Sequence, residues 1–456
     1  DRGYLDNFRP ENVVPTGIEI AWHRIFIATP RLRAGVPATL SYIPRDIPPG
    51  SSPQLQAYPS WDWHTAGRGD VNCSGLISVY RIRADKCNRL WVADSGIMTS
   101  IDDFTPVCPP KLLVFDLHTD QLVRSIQFPR EALRLNSLLT NLVIDDTSAT
   151  TCDDVFVYLT DTTAPGIIVY DGAADKSWRV THASMLPDPN HSMYQIGEDT
   201  FELFDGVVGL GFSPRQATLY YQPLATVRLY SVPTSALQAG ELPFGEQLPV
   251  TLVGRKSSQG MALAIDPRDD TILFSPLTET AIAAWQPQTN NQRILGFSPE
   301  QLQFVAEIRW AERDGGNIWA LSSRFQKFFK KQVNPREINL RILRIRSDEP
   351  MRSAPIPLPI YNNFYSHVNP VFKRNTYNVY FKQTNINLFN TTHVPLRFFI
   401  FSYLFFLSFS RFLSKLFQDI LPYVYSITDF KFHKSYFYSY TTISSLTSFV
   451  LKFTQP

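Results

Sequence analysis

At 456 residues, 44% of them hydrophobic and 18% charged, the chain carries enough apolar side chains for a large core, and a closed all-β domain can occupy most of that length. A formal net charge of +2, with lysines and arginines spread along the sequence, offers no basic stripe for nucleic acid and no polybasic face for an anionic membrane. No Walker loop, GxSxG turn or paired Cys/His metal spacing occurs, so no cofactor and no metal are expected, and the catalytic residue of any reaction stays unassigned.

From Thr16 to Ile345 one unit recurs in chain order: a short apolar run, a few turn residues, then a second run rich in β-branched and aromatic side chains. The first runs are Gly17 to Ile20, Tyr80 to Ala84, Leu142 to Asp145, Val208 to Phe212, Leu263 to Asp266 and Ile308 to Ala311. The second runs end at Thr29, Asp94, Asp161, Gln222, Ser275 and Ser323. Third and fourth strands follow, clearest at Lys111 to Leu117, Gly166 to Asp171 and Thr226 to Val232. Six units of short antiparallel strands with little helical periodicity predict an all-β fold, a six-bladed β-propeller, over residues 1–345.

Cys73, Cys87, Cys108 and Cys152 cluster in the second and third units, an even count that reads as two disulfides with three pairings open. Asn72 and Asn190 open Asn-x-Ser triplets and are candidate glycosylation sites on an exported protein. Residues 346–360 read as a linker. From 361 to 456 the sequence has no Gly, Ala, Glu, Cys, Met or Trp, and 27 of its 96 residues are Phe or Tyr. That low-complexity composition suits disordered chain, or translated non-coding sequence rich in A and T, so this segment is read as lying outside the fold. Its longest apolar run, Phe398 to Ser410, is 13 residues, short of the ~20 that a spanning helix needs, and no membrane segment is expected.

Six segments, in order, resemble the Yellow and major royal jelly proteins of insects: PRLRAGVPATLSYIP from Pro30, YPSW from Tyr58, VYRIRADKCNRLWVADSG from Val79, CPPKLLVFDL from Cys108, DGVVGLGFSP from Asp205 and NIWALSSRFQKF from Asn317. The resemblance spans about residues 12–345 and implies a secreted, extracellular propeller whose export signal and a ring-closing strand lie ahead of this sequence. It also implies Cys73 paired with Cys87 and Cys108 with Cys152. Members act in cuticle pigmentation and hardening, convert dopachrome in melanin synthesis, or bind biogenic amines in a central tunnel.

The second strands of all blades end on one face, so Asp94 and Asp161 are candidates to meet an ammonium group at a tunnel mouth, with capping of local turns as the alternative role. The amine-binding relatives, matched residue by residue, point to Val208, Ser323 and Phe325. Relatives usually carry Asn or Asp where Ser323 stands and Phe where Val208 stands. His64, within the aromatic stretch YPSWDWH, is the histidine best placed for acid–base work. The expected partner is a small aromatic amine or catechol, bound in the tunnel by a protein of cuticle or melanin physiology. The alternatives are a dopachrome-converting enzyme and a structural cuticle or eggshell protein. Oligomeric state is left open.

Overall fold

The computed structural model describes residues 2–345 and 375–378. Contacts divide the chain into Asp1–Gln383 and Thr384–Pro456, and every described residue lies in the first unit. Blade 1 is β1 (Gly17–Ile20), β2 (Arg24–Ala28), β3 (Leu40–Pro44) and β4 (Gln56–Ala57). Blade 2 is β5 (Val79–Ala84) and β6 (Arg89–Asp94), then a hairpin of β7 (Ile97–Met98) and β8 (Thr105–Pro106), then β9 (Lys111–Asp116) and β10 (Leu122–Gln127). Blade 3 is β11 (Leu139–Asp145), β12 (Phe156–Asp161), β13 (Gly166–Asp171) and β14 (Lys176–Val180). A second hairpin, β15 (Met193–Ile196) and β16 (Asp199–Glu202), precedes blade 4, which is β17 (Val207–Ser213), β18 (Thr218–Pro223), β19 (Arg228–Pro233) and β20 (Thr251–Arg255). Blade 5 is β21 (Leu263–Asp266), β22 (Thr271–Phe274), β23 (Ala281–Gln286) and β24 (Asn291–Phe297). Blade 6 is β25 (Phe304–Ala311), β26 (Asn317–Ser323), β27 (Leu340–Ile345) and β28 (Asn375–Asn378).

The six four-stranded antiparallel sheets make the chain a six-bladed propeller, as the repeat predicts. Strand β28 falls inside the segment read from sequence as outside the fold, and it pairs with β27 from Arg341↔Asn378 to Arg344↔Asn375. The linker and the remainder of that segment lie outside the described residues. Each blade buries its faces against its neighbours. Val92 and Leu113 of blade 2 pack with Phe26 and Leu40 of blade 1, and Tyr158 and Val169 of blade 3 pack with Leu210 and Tyr221 of blade 4.

A local device recurs at the turn from first to second strand. Asp85, Asp145 and Asp314 are buried there, and each accepts a hydrogen bond from an aromatic side chain of the second strand: Trp91 Nε1 at 2.8 Å, Tyr158 OH at 2.9 Å and Trp319 Nε1 at 2.8 Å. An unpartnered buried carboxylate would cost more than these bonds return, so the aromatic and the aspartate are needed together.

The axis is polar where four inner strands converge. Glu307 of β25 contacts Arg81 at 2.8 Å and Arg83 at 2.5 Å, both from β5, and accepts the backbone N–H of Ile18 in β1 at 2.7 Å. Arg83 also donates to Asn141 of β11 at 3.2 Å, and Glu19 of β1 contacts Arg309 of β25 at 2.9 Å. These bonds join the last blade to the first three. Burial raises the Glu307 pKa, but Arg81, Arg83 and Arg309, with the Ile18 N–H, together hold the carboxyl below its usual range.

The disulfide pairing implied by the family resemblance is corrected. Cys73 pairs with Cys108, and Cys87 with Cys152. Strand direction is the reason. Cys73 precedes β5 and Cys87 follows it, so the six residues of β5 hold them about 20 Å apart on opposite faces. The registers Val79↔Asp94 and Asp94↔Lys111 bring the start of β5 level with the start of β9, which places Cys73 beside Cys108. Cys87 and Cys152 both lie in first-to-second-strand turns of adjacent blades on the other face. The closed loops, 35 and 65 residues long, are each worth about 4 kcal/mol in the chain-entropy account.

Glu307→Gln leaves Arg81 and Arg83 facing a neutral group, so it is expected to cost about 3–5 kcal/mol in urea unfolding. Because the Glu307 pKa is depressed in the fold, its stabilisation is present above the ordinary carboxylate range and lost as pH falls through the lowered value. A change below about 1 kcal/mol would mean that the network does not hold the ring. Non-reducing peptide mapping is expected to recover a Cys73–Cys108 and a Cys87–Cys152 peptide, and a Cys73–Cys87 peptide contradicts the strand-direction argument.

Candidate functional site

The inner strands begin, and the second strands end, on one face, here called the mouth. Four inner strands carry a β-bulge near their mouth end, with the register shifting at Val79/Arg81, Leu139/Asn141, Val207/Gly209 and Val305/Glu307. A bulge re-aims the extra residue. Here the extra residues are Tyr80, Thr140, Val208 and Ala306, and three of them, Tyr80, Val208 and Ala306, join the apolar cluster that fills the mouth.

Two inserted segments cover that cluster. The β15–β16 hairpin brings Tyr194 and Phe201, whose rings stack at 5.0 Å, and the short helix Phe325–Phe329 follows β26. Phe325 lies 4.6 Å from Phe304 and 6.0 Å from Phe201, centroid to centroid. Arg33 of the loop after β2 donates to the carbonyls of Phe328 and Phe329 and pairs with Asp102 beside β7–β8, tying the covering segments together.

The structure brings Val208 and Phe325 into this one cluster and sets buried Ser323 at the adjoining end of β26, with its Oγ lacking a partner. Asp94 and Asp161 do end their strands at the mouth level, yet both are spent on local capping. Asp94 accepts the N–H groups of Ile77 and Ser78 at 2.8 Å each and of Gly96 at 3.1 Å, with Lys111 at 3.5 Å. Asp161 accepts from the N–H groups of Leu138 and Ala164, from Ser137 Oγ and from Arg179. Both are completely buried, so the turn-capping role is the one realised. His64 is likewise structural. Its Nδ1 accepts the Thr39 N–H at 3.3 Å and its Nε2 lies 3.0 Å from the Tyr58 carbonyl, while burial first, and the nearby Arg31 second, push its pKa down to about 3. Asn72 and Asn190 are both exposed, Asn72 in a loop and Asn190 in the short 3-10 turn Pro189–His191.

The group that the sequence reading passed over is Asp205. It opens the DGVVG segment, in the return from β16 to β17, and its backbone is fixed by the Ala225 N–H at 3.1 Å. No hydrogen bond or ion pair engages its carboxylate among the described residues. Burial alone raises its pKa to about 6. Its charge acts on two phenols, Tyr80, whose OH lies 2.6 Å from Ser100 Oγ, and Tyr194, whose buried OH has no partner. Asp205 itself is only partly buried, whereas fully buried polar atoms at the mouth that lack partners include Thr29 Oγ1, Gln222 Oε1, Lys256 Nζ and Ser275 Oγ. Lys256 is held down to about 7, by burial and against the pull of Glu279.

Native proteins satisfy nearly all buried polar groups, so this concentration at the mouth sets that end of the axis apart. A cavity of about 290 Å³, lined by Glu11, Asn12, Arg33, Asp102, Lys331 and Val333, lies elsewhere, and Asp102 there is paired with Arg33 and Lys331. Among the described residues no cluster of His, Cys, Asp and Glu could hold a metal, and no helix is long and apolar enough to cross a membrane.

The profile of the major royal jelly protein family matches residues 77–356. Dopaminechrome tautomerase of Drosophila melanogaster is 29% identical over 76% of this chain and 78% of its own length. Protein yellow of Drosophila yakuba is 31% identical over 74% of this chain, and the match spans 63% of that protein, less than two thirds of it. Among solved structures, virginiamycin B lyase from Staphylococcus aureus aligns at a TM-score of 0.41 and 10% identity over 77% of this chain and 88% of that one. With six propeller blades, two disulfides and a profile match over more than half its length, the chain belongs to the Yellow/major royal jelly protein family.

Proposed function

We propose that this protein binds a small aromatic amine or catechol at the propeller mouth, as an exported component of cuticle or melanin physiology. The observation that carries the reading is the lone Asp205 carboxylate, partly buried, whose charge acts on Tyr80 and Tyr194 of the apolar aromatic cluster. An ammonium group is the natural partner for a carboxylate that has none, and in a poorly hydrated site the pair is stronger than in water. Phe201, Phe325 and the Tyr194 ring supply flat apolar surface for a catechol or indole. The charged network at the axis lies deeper, so the ligand is held at the mouth rather than along the whole tunnel.

A second reading is favoured by one specific observation. A carboxyl titrating at about 6 is poised to take a proton from carbon at neutral pH, and the unpartnered Tyr194 hydroxyl could donate to a quinone oxygen. Isomerisation of an aminochrome needs these two acts, and a relative is named dopaminechrome tautomerase.

Titration calorimetry with dopamine is expected to show binding that weakens as pH falls through about 6, where Asp205 is neutralised. Asp205→Asn is expected to weaken it by about 10-fold or more, while uncharged catechol is little affected. The same variant should be more stable than the parent at pH 7 by about 1–3 kcal/mol. The raised pKa means that the folded form holds the proton longer than the unfolded chain, so the parent loses stability as pH rises from about 4 to about 6, and the variant lacks that loss. Unchanged dopamine affinity in a folded Asp205→Asn protein removes the proposal. For the second reading, loss of aminochrome colour above the spontaneous rate, rising with pH through about 6 and abolished in Asp205→Asn, is the expected result. A rate no greater than the spontaneous one overturns it.

A further inference from the structure

Strands β15 and β16 pair only with each other, so no blade's hydrogen-bond ladder holds their hairpin down. Strand alternation turns Met193, Gln195, Thr200 and Glu202 outward, and Tyr194, Ile196, Asp199 and Phe201 toward the mouth cluster. Both ends of the hairpin are fixed. At its entry the Gln259 side chain donates to the His191 and Met193 carbonyls at 3.0 and 2.8 Å. At its exit the Gly206 N–H donates to the Thr162 carbonyl at 3.2 Å, and the Gly206 carbonyl accepts the Leu224 N–H at 2.9 Å. The tip turns through Gly197 at a φ of 59°, and among the described residues its polar tie to the rest of the fold is Asp199. One carboxylate oxygen lies 2.8 Å from Lys327 Nζ and the other 2.8 Å from Lys330 Nζ, on and just after the helix Phe325–Phe329. That helix is anchored elsewhere, by Arg33 on the Phe328 and Phe329 carbonyls and by Gln326 Nε2 on Gln303 Oε1 at 2.7 Å. The hairpin is therefore the part free to move. Phe201, Phe325 and Val208 keep only 5%, 7% and 3% of their surface exposed, so a ligand ring reaches them only when the hairpin lifts.

We propose that the β15–β16 hairpin is a flap that opens to admit the ligand of the mouth and is latched shut by Asp199 against Lys327 and Lys330. The identity of the ligand rests on the amine-binding reading; the motion does not. Asp205 stands at the anchored end, where its carbonyl accepts the Ala225 N–H at 3.1 Å, so its carboxylate stays in place while Tyr194 swings with the flap. Closure then lays the Tyr194 ring over a ligand that Asp205 already holds. Asp199 is 12% exposed and the two lysines 30% and 31%, so water competes for the latch. What else holds the flap is apolar, Phe201 against Phe325 at 6.0 Å and Phe329 at 5.4 Å. Few buried contacts and a partly solvated tie are the marks of a segment that opens below the free energy of global unfolding.

The four native cysteines are all in disulfides, so one introduced thiol in the full chain reports opening. Ile196→Cys places it beneath the flap, and Val169→Cys, in the fully buried core of blade 3, is the control. Alkylation by iodoacetamide is expected to be at least about 10-fold faster at position 196 than at 169. Adding Asp199→Asn, or Lys330→Gln as an independent break of the latch, is expected to speed it about 5-fold at 196 and to leave 169 unchanged. In stopped-flow mixing with dopamine, Asp199→Asn alone is expected to raise the association and dissociation rates alike by about 5-fold and to hold Kd within about 2-fold, because the latch closes the free and the bound forms equally. Labelling at 196 no faster than at 169, or unchanged by both latch variants, overturns the proposal. So does a raised Kd with an unchanged association rate, which would put Asp199 in contact with the ligand. If dopamine does not bind at all, the amine reading falls and the labelling alone decides the flap.

Discussion

Closure of the ring rests on Glu307. A blade with two apolar faces is stable only between two neighbours, and the last blade finds its neighbour by returning to the first. Glu307 makes that return specific: it binds two arginines of blade 2 and a backbone N–H of blade 1, all buried. Buried ion pairs add little net stability when complete and cost much when broken, so the value of this one lies in register as much as in energy. It fixes how β25 meets β1 and β5, and with them the ring of inner strands.

A fixed ring gives the molecule two chemically different ends. Every inner strand runs from the mouth to the opposite face. Turns from first to second strand therefore share one end, where Asp85, Asp145 and Asp314 are capped by aromatic side chains. Second strands finish at the other, where bulges turn Tyr80 and Val208 toward the axis and two insertions close over them. The rigid end supports; the covered end leaves the Asp205 carboxylate and the Tyr194 hydroxyl without partners. A protein that leaves Asp205 without a partner while satisfying Asp94 and Asp161 gives up stability at that one carboxylate.

Much of the fold was legible in the sequence because propeller strands are short, β-branched and repeated. All six first runs fall on observed inner strands. Their mouth ends were read short at Val79, Leu139, Val207 and Phe304, because a bulge breaks the alternation that marks a strand. The axial network was not legible, since Arg81, Arg83 and Glu307 look like solvent-facing positions of ordinary strands until the ring places them at its centre. The disulfides illustrate the opposite failure. The resemblance paired Cys73 with Cys87, although one strand separates them and strand direction forbids it. At the mouth, Val208 and Phe325, pointed to by likeness, share one apolar cluster, with Ser323 at the adjoining end of β26. Asp205 was passed over, although it stands three residues from Val208, because its significance lies in having no partner, a property of the fold and not of the motif.

The central claim is that Asp205 meets the ligand's ammonium group, and proton exchange on binding tests it most directly. Dopamine titrations by calorimetry at pH 5, in buffers of differing ionisation enthalpy, should reveal release of close to one proton (about 0.9) as the carboxyl, protonated there, is forced to ionise; at pH 8 the release should vanish. Binding with no proton release at either pH would place the ammonium elsewhere and contradict the account.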